Sequence, residues 1–190
     1  MSPWGHHAIG FAVGITGAWV LSSGELGVTV GALTDTVIDI ARGIWHGNFT
    51  GTMSTMTEGA AFLTGAVLGG RAPDKLEIAK WWLDKRYSLI PHRTLTHWWP
   101  LWVGLLVWSI VLIQDSYGFT DKAISWGLLG FALSGVLHLV FDVMTPSGIP
   151  LVSPFGDRFS LKIYRSGSIA ELPIVGATGV LCLAVALIWV

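Results

Sequence analysis

Long apolar stretches alternate with short polar ones along the chain, and the length of each stretch sets what it predicts. A helix needs about 20 mainly apolar residues to cross ~30 Å of hydrocarbon. Three runs approach that length, Trp98 to Gln114, Ala123 to Met144 and Leu172 to Val190, and each predicts a membrane span. Ala8 to Leu21 is a further span; it follows a start with His6 and His7 but no Lys or Arg, unlike a cleaved signal peptide. Ala60 to Gly70 is shorter, and extended back through Met53 and Met56 it predicts a tilted or partly protein-buried crossing. Between these, Ser22 to Thr52 mixes Asp35, Asp39, Arg42 and His46 with apolar residues, the pattern of an amphipathic or half-inserted segment. The expected fold is all-α: a polytopic membrane helical bundle of about five spans, one domain over residues 1–190 with an amphipathic insertion at 22–52.

Composition agrees with lipid as the surrounding solvent. The chain is 52% hydrophobic and 12% charged, against roughly 25% charged in soluble domains. Its 24 Gly and 11 Trp suit closely packed membrane helices with rings at the headgroup level. A formal net charge of -1 provides no global field for polyanions, so no nucleic-acid partner is expected and membrane lipids are. Cys182 is the single cysteine, so no intrachain disulfide forms. Of the basic residues, Arg71, Lys75, Lys80, Lys85, Arg86 and Arg93 fall in one loop and Arg158, Lys162 and Arg165 in another, leaving Arg42 and Lys122. The positive-inside rule places both loops in the cytoplasm, with the N-terminus inside and the C-terminus outside. A crossing by Ser22 to Thr52 would change that parity.

This topology gathers the chemistry at one end. His138 and Asp142, four apart on a helical stretch, project from one face, where they either share a metal ion or hydrogen-bond each other. Pro91-His92-Arg93-Thr94-Leu95-Thr96-His97 adds two imidazoles and a guanidinium just before a span. Pro91 marks the expected helix start, Thr94 or Thr96 caps the helix or orients an imidazole, and Arg93 either binds an anionic group or anchors topology. Asp74 closes a Gly-rich run, Gly65 to Gly70, where backbones approach closely. Of His6 and His7 only one can face the bundle interior, since helix neighbours point about 100° apart. There is no G-x-S-x-G, P-loop, G-x-G-x-x-G or paired-Cys motif. His and Asp suit zinc, or manganese or iron, and such a centre lowers the pKa of water to ~7.

Gly5-His6, Ala72-Pro73-Asp74, His92 to His97, and Leu137 to Gly148 occur in one order, continuing through Ile149-Pro150-Leu151 and Arg158-Phe159 to Gly167 and Glu171. This set resembles the YdjM-like family of inner-membrane metal-dependent hydrolases, with a distant likeness to zinc-dependent phospholipases C and related nucleases. The resemblance implies an inner-membrane location. It also implies His6, Asp74, His97, His138 and Asp142 as ligands of one or two divalent ions, zinc foremost, with His92 close behind. Relatives read Pro-Asp-x-Asp where this chain has Pro73-Asp74-Lys75-Leu76-Glu77, leaving Glu77 as a substitute carboxylate, and Ser where Trp98 stands.

The expected function is therefore a membrane-embedded hydrolase of an amphiphilic or lipid phosphoester. In it Arg93 holds the anionic group and Glu171 acts as general base or added ligand. The Thr145-Pro146-Ser147-Gly148 turn redirects the chain, and the basic loop after Ser153 covers the site or rests on anionic lipid. A non-enzymatic membrane binding or sensing protein with a structural metal is the alternative. A proton-coupled transporter with an Asp/His relay is the third.

Overall fold

The computed structural model describes residues 3–26, 49–76, 79–82, 85–88 and 93–188. Five long helices dominate: α1 (Pro3–Leu26), α2 (Phe49–Gly69), α4 (Trp99–Asp115), α5 (Phe119–Met144) and α6 (Glu171–Ile188), with α3 (Ala72–Lys75) a single turn. Two small antiparallel pairs, β1 (Ala79–Trp82) with β2 (Lys85–Ser88) and β3 (Ile149–Pro150) with β4 (Arg158–Phe159), complete the described structure. The expected all-α architecture is present. Asp35, Asp39, Arg42 and His46 lie outside the described residues, as do Glu77 and His92; α1 runs on to Leu26 and α2 begins at Phe49, which are the described edges of the 22–52 segment.

Helix α5 is the organising element, packing on α1, α2 and α4, and its interface with α2 is the broadest. At 26 residues it is about 39 Å long. Among the described residues it is the helix whose length and apolarity alone suffice to cross a membrane, while α4 and the described part of α6 are apolar but shorter. The polar and apolar faces are inverted relative to a soluble bundle. Ser125, Ser134, His138 and Asp142 of α5 are buried, whereas Leu101, Val107, Trp108, Ile110 and Val111 of α4 are exposed, as expected where hydrocarbon replaces water.

Glycines decide how closely the helices approach. A Cβ on Gly65 would overlap the Gly127 carbonyl, and one on Gly135 would overlap the Trp102 ring, so α2 and α5 touch backbone to backbone and Trp102 seats flat on α5. One core cluster joins Ile9, Val13, Phe62, Ala66 and Phe141, and a second joins Ala72, Trp102, Leu139 and Ile149. Facing pairs fix the directions. Gly10 meets Ala66 while Gly17 meets Phe62, so α1 and α2 are antiparallel; Gly65 meets Gly127 while Gly69 meets Phe131, so α2 and α5 run together. Trp102 against Gly135 and Ser116 against Ser125 set α4 antiparallel to α5. The start of α1, the end of α2, the start of α4 and the end of α5 consequently share one end of the bundle.

Candidate metal centre

That shared end is where the polar side chains meet. His6 comes from the first turns of α1, Asp74 from α3, His97 from a short 3-10 turn (Leu95–His97), and His138 and Asp142 from the last two turns of α5. Pro100 lies in the first turn of α4, and Trp98 marks the break before it; the helix thus starts at Pro100's turn, nine residues after Pro91. The physical reason is that Pro lacks only an N–H that is unpaired in a first turn anyway. The turn carrying His97 is clamped from beneath, because the Trp102 indole N–H donates to the Thr96 carbonyl at 2.7 Å while its ring rests on Gly135.

The donor atoms converge. His97 Nε2 lies 3.3 Å from Asp74 Oδ1 and 3.3 Å from Asp142 Oδ2. His138 Nε2 lies 3.5 Å from Asp142 Oδ2 and 3.8 Å from Asp74 Oδ1, and His6 Nε2 3.6 Å from Asp74 Oδ2. The His6 ring stacks on His138 with centroids 3.7 Å apart. Two overlapping triads result, His6-His138-Asp142 and Asp74-His97-His138, in each of which one donor atom per residue lies within 4.8 Å of the others. His138 belongs to both.

The outer nitrogens of His138 and His97 are tied down. His138 Nδ1 is 2.8 Å from the Gly70 carbonyl and so carries the proton, which leaves Nε2 with a lone pair aimed inward. His97 Nδ1 contacts Thr96 Oγ1 at 3.1 Å. Among the described residues, both His6 ring nitrogens and His138 Nε2 are buried without a hydrogen-bond partner. Buried polar atoms are rarely left so, and a cation between the two triads would give His6 Nε2 and His138 Nε2 a partner. Burial opposes ionisation of Asp74, yet the hydrogen bond with His97 and the neighbouring His138 and His6 outweigh it and hold its carboxyl at about 2. Burial likewise disfavours a charged His97, but hydrogen bonds to Asp142 and Asp74 raise its pKa above the ordinary 6.5. Three imidazoles and two carboxylates so placed fit a divalent first-row metal.

Access is one-sided. The side chains of His97, His138 and Asp142 are at 0% exposure and Asp74 is at 36%, so Asp74 is the rim of the site.

Arg93 sits in the left-handed region, with φ 60. Its guanidinium is 3.2 Å from Asp142 Oδ2 and donates to the Gly148 carbonyl at 3.3 Å. It thus orients the candidate ligand Asp142 and pins the turn after α5. Outer partners of ligands typically matter 10–100-fold in metal affinity, so Arg93→Ala is expected to weaken metal binding by about that factor, and Arg93→Lys by less. Competition titration against a chelator measures it, and unchanged affinity in Arg93→Ala would remove this role.

Glu171 is buried, belongs to neither triad, and accepts the Gly167 amide at 2.6 Å at the start of α6. Tyr164 is a residue that the sequence reading did not single out. Its hydroxyl donates to the Phe141 carbonyl at 3.3 Å, and burial, then the charges of Glu171 and Asp142, push its pKa up to about 12. Around it, Leu161 and Ile163 amides donate to the Val143 and Met144 carbonyls, and Thr145 Oγ1 to that of Asp142. Residues 160–164 thereby satisfy the carbonyls that a helix end leaves open, which holds the Asp142 turn in place. His7 is partly buried and His6 fully, so the first of the two histidines faces inward.

Residues 1–190, the whole chain, match the family described as YdjM inner membrane protein, and the chain belongs to that family. No curated protein and no solved structure is found to match it.

Proposed function

We propose that this member of the YdjM inner membrane protein family is a metal-dependent hydrolase of phosphoesters carried on amphiphilic or lipid molecules. The observation that supports the reading is the pair of ligand triads sharing His138, buried at His6, His97, His138 and Asp142 and exposed at Asp74. Catalytic metal sites keep a position free, whereas structural ones are sealed by four ligands. In this reading all five long helices cross the membrane with the site at the cytoplasmic face, an orientation supported by the excess of Lys and Arg in the two loops at that end.

His6, Asp74, His97, His138 and Asp142 would hold one or two ions. A divalent ion supplies Lewis acidity there, enough to polarise a phosphoryl oxygen and lower the pKa of water to ~7. The protein's own groups do the rest. Gly70 and Thr96 fix the imidazole orientations, Arg93 steadies Asp142 and would offer its further N–H donors to phosphoryl oxygens, and Asp74 forms the exposed edge of the site. Glu171 positions the start of α6 through the Gly167 amide and belongs to neither triad.

An amphiphilic substrate is supported by an apolar cleft of about 450 Å³ that begins at Leu76, two residues from Asp74, and follows α4 past Leu101, Gly104 and Leu105 to Trp108. Pockets of this size hold small ligands, and the cleft runs about 12 Å along α4. A Cβ at Gly104 meets no atom within 4 Å, so Gly104→Leu directs its side chain into open space lining the cleft. It is expected to leave hydrolysis of a short-chain soluble phosphoester intact and to depress that of the long-chain analogue several-fold. Equal loss on both, or on neither, would separate the cleft from the substrate.

The test of the reading itself is phosphoester hydrolysis by detergent-purified protein whose metal content has been measured, loaded in turn with zinc, manganese and iron. Turnover that needs metal and is lost in Asp74→Asn supports it, and no turnover on lipid or soluble phosphoesters from loaded protein sinks it. The complete burial of His97 and Asp142 favours, as the second reading, a structural ion tying helix ends together. Cobalt-substituted protein separates the two: added phosphate perturbs the visible spectrum of an open site and leaves a sealed one unchanged.

A further inference from the structure

The segment joining α5 to α6 is built opposite to a soluble loop. Val152 is 91% exposed, Phe155 72% and Ile169 86%, and Leu161 and Ile163 also face outward. The cations Lys162 and Arg165 stand between them and are exposed, as is Arg158; Asp157 is the acidic residue among the exposed loop positions. An apolar surface of this kind facing water is unfavourable and marks a contact. Its neighbours show what it contacts. Helix α5 is about 39 Å long, more than the ~30 Å hydrocarbon thickness, so its end at Met144 reaches the level of the headgroups. The loop is bound to that end by Leu161, Ile163 and Tyr164 amides donating to the Val143 and Met144 carbonyls. The β3–β4 hairpin is held at the same level, because the Trp99 indole N–H in the first turn of α4 donates to the Leu151 carbonyl at 2.8 Å, and Trp is the side chain that favours this depth.

We propose that residues 151–169 form an interfacial docking surface for the anionic lipid of the leaflet at the metal end. Val152, Phe155 and Ile169 sink among the acyl-chain ends, while Lys162 and Arg165 meet lipid phosphates. Apolar anchors interleaved with basic residues are the composition that binds an anionic leaflet. The inference rests on α5 crossing the membrane and stands whether or not the metal site is catalytic.

The test uses full-length protein in nanodiscs of phosphatidylcholine alone or mixed with phosphatidylglycerol. An environment-sensitive fluorophore is attached at Phe155→Cys, or separately at Val152→Cys, each in a Cys182→Ser background and each checked for unaltered metal content. The expected result is blue-shifted emission, loss of most of it when the lipids carry brominated acyl chains, and little quenching by iodide. Phosphatidylglycerol should increase the shift, and Lys162→Glu with Arg165→Glu should cancel that increase. A label quenched by iodide in both lipid mixtures overturns the proposal. So does a label shielded from iodide and brominated chains alike, which would assign the surface to a protein contact, and so does a shift indifferent to phosphatidylglycerol and to charge reversal.

Discussion

His138→Ala is expected to empty the metal centre. His138 is the ligand common to both triads, its Nδ1 is committed to the Gly70 carbonyl, and its Nε2 faces the carboxylates of Asp74 and Asp142. Losing an outer partner of a ligand costs about 10–100-fold in affinity, so losing the shared ligand should cost more, and both ions should be lost where two are bound. Elemental mass spectrometry on chelator-free protein measures this, with His7→Ala as the control that keeps its metal. The variant should still fold, because the rings of His6 and His97 that flank His138 remain. Full metal content in His138→Ala would dismiss the centre as drawn here.

Gly65→Val is expected to be severely damaging to the bundle. Its side chain would run into the backbone of Gly127 on α5, and a carbonyl cannot rotate aside as a side chain can. Overpacking of ordinary cores costs about 1–3 kcal/mol, and a backbone collision requires α2 and α5 to separate. Separation also carries the Gly70 carbonyl away from His138 Nδ1, so metal affinity should fall together with thermal stability in detergent. Gly104→Val, where space is open, is the matched control. A Gly65→Val protein with unchanged melting midpoint and metal content would mean that the helices are not in backbone contact.

What could be read from the sequence follows from how local each signal is. His138 and Asp142 are one helical turn apart, so a periodicity of 3.6 suffices to place them on one face. The convergence of His6, Asp74 and His97 on them needed two further things, the alternating direction of the spans and the resemblance in motif order. The Gly65 to Gly70 run was legible as a close approach, because only small residues permit one. By contrast, the Arg93 to Asp142 pair depends on a left-handed turn at Arg93, and no residue type announces that as glycine would. Tyr164 was invisible for another reason: it acts on a backbone carbonyl, Phe141, which leaves no trace in the side-chain pattern. Pro91 and Pro100 both meet the rule for a helix start, and the packing of Trp102 on Gly135 selects Pro100, in the first turn of α4, over Pro91.

The candidate ligands are drawn from positions 6, 74, 97, 138 and 142, and that spread would have a temporal meaning during synthesis. A ribosome delivers His6 first and Asp142 last, so a nascent chain holds no complete triad until nearly three-quarters of it has been made and α5 has docked against α1, α2 and α4. Membrane helices insert before they associate, which places metal capture after insertion and after association. Occupancy would then report finished assembly, and a chain stalled before α5 would be left with unfilled histidines inside its bundle, a state that cellular proteolysis can distinguish from the mature protein.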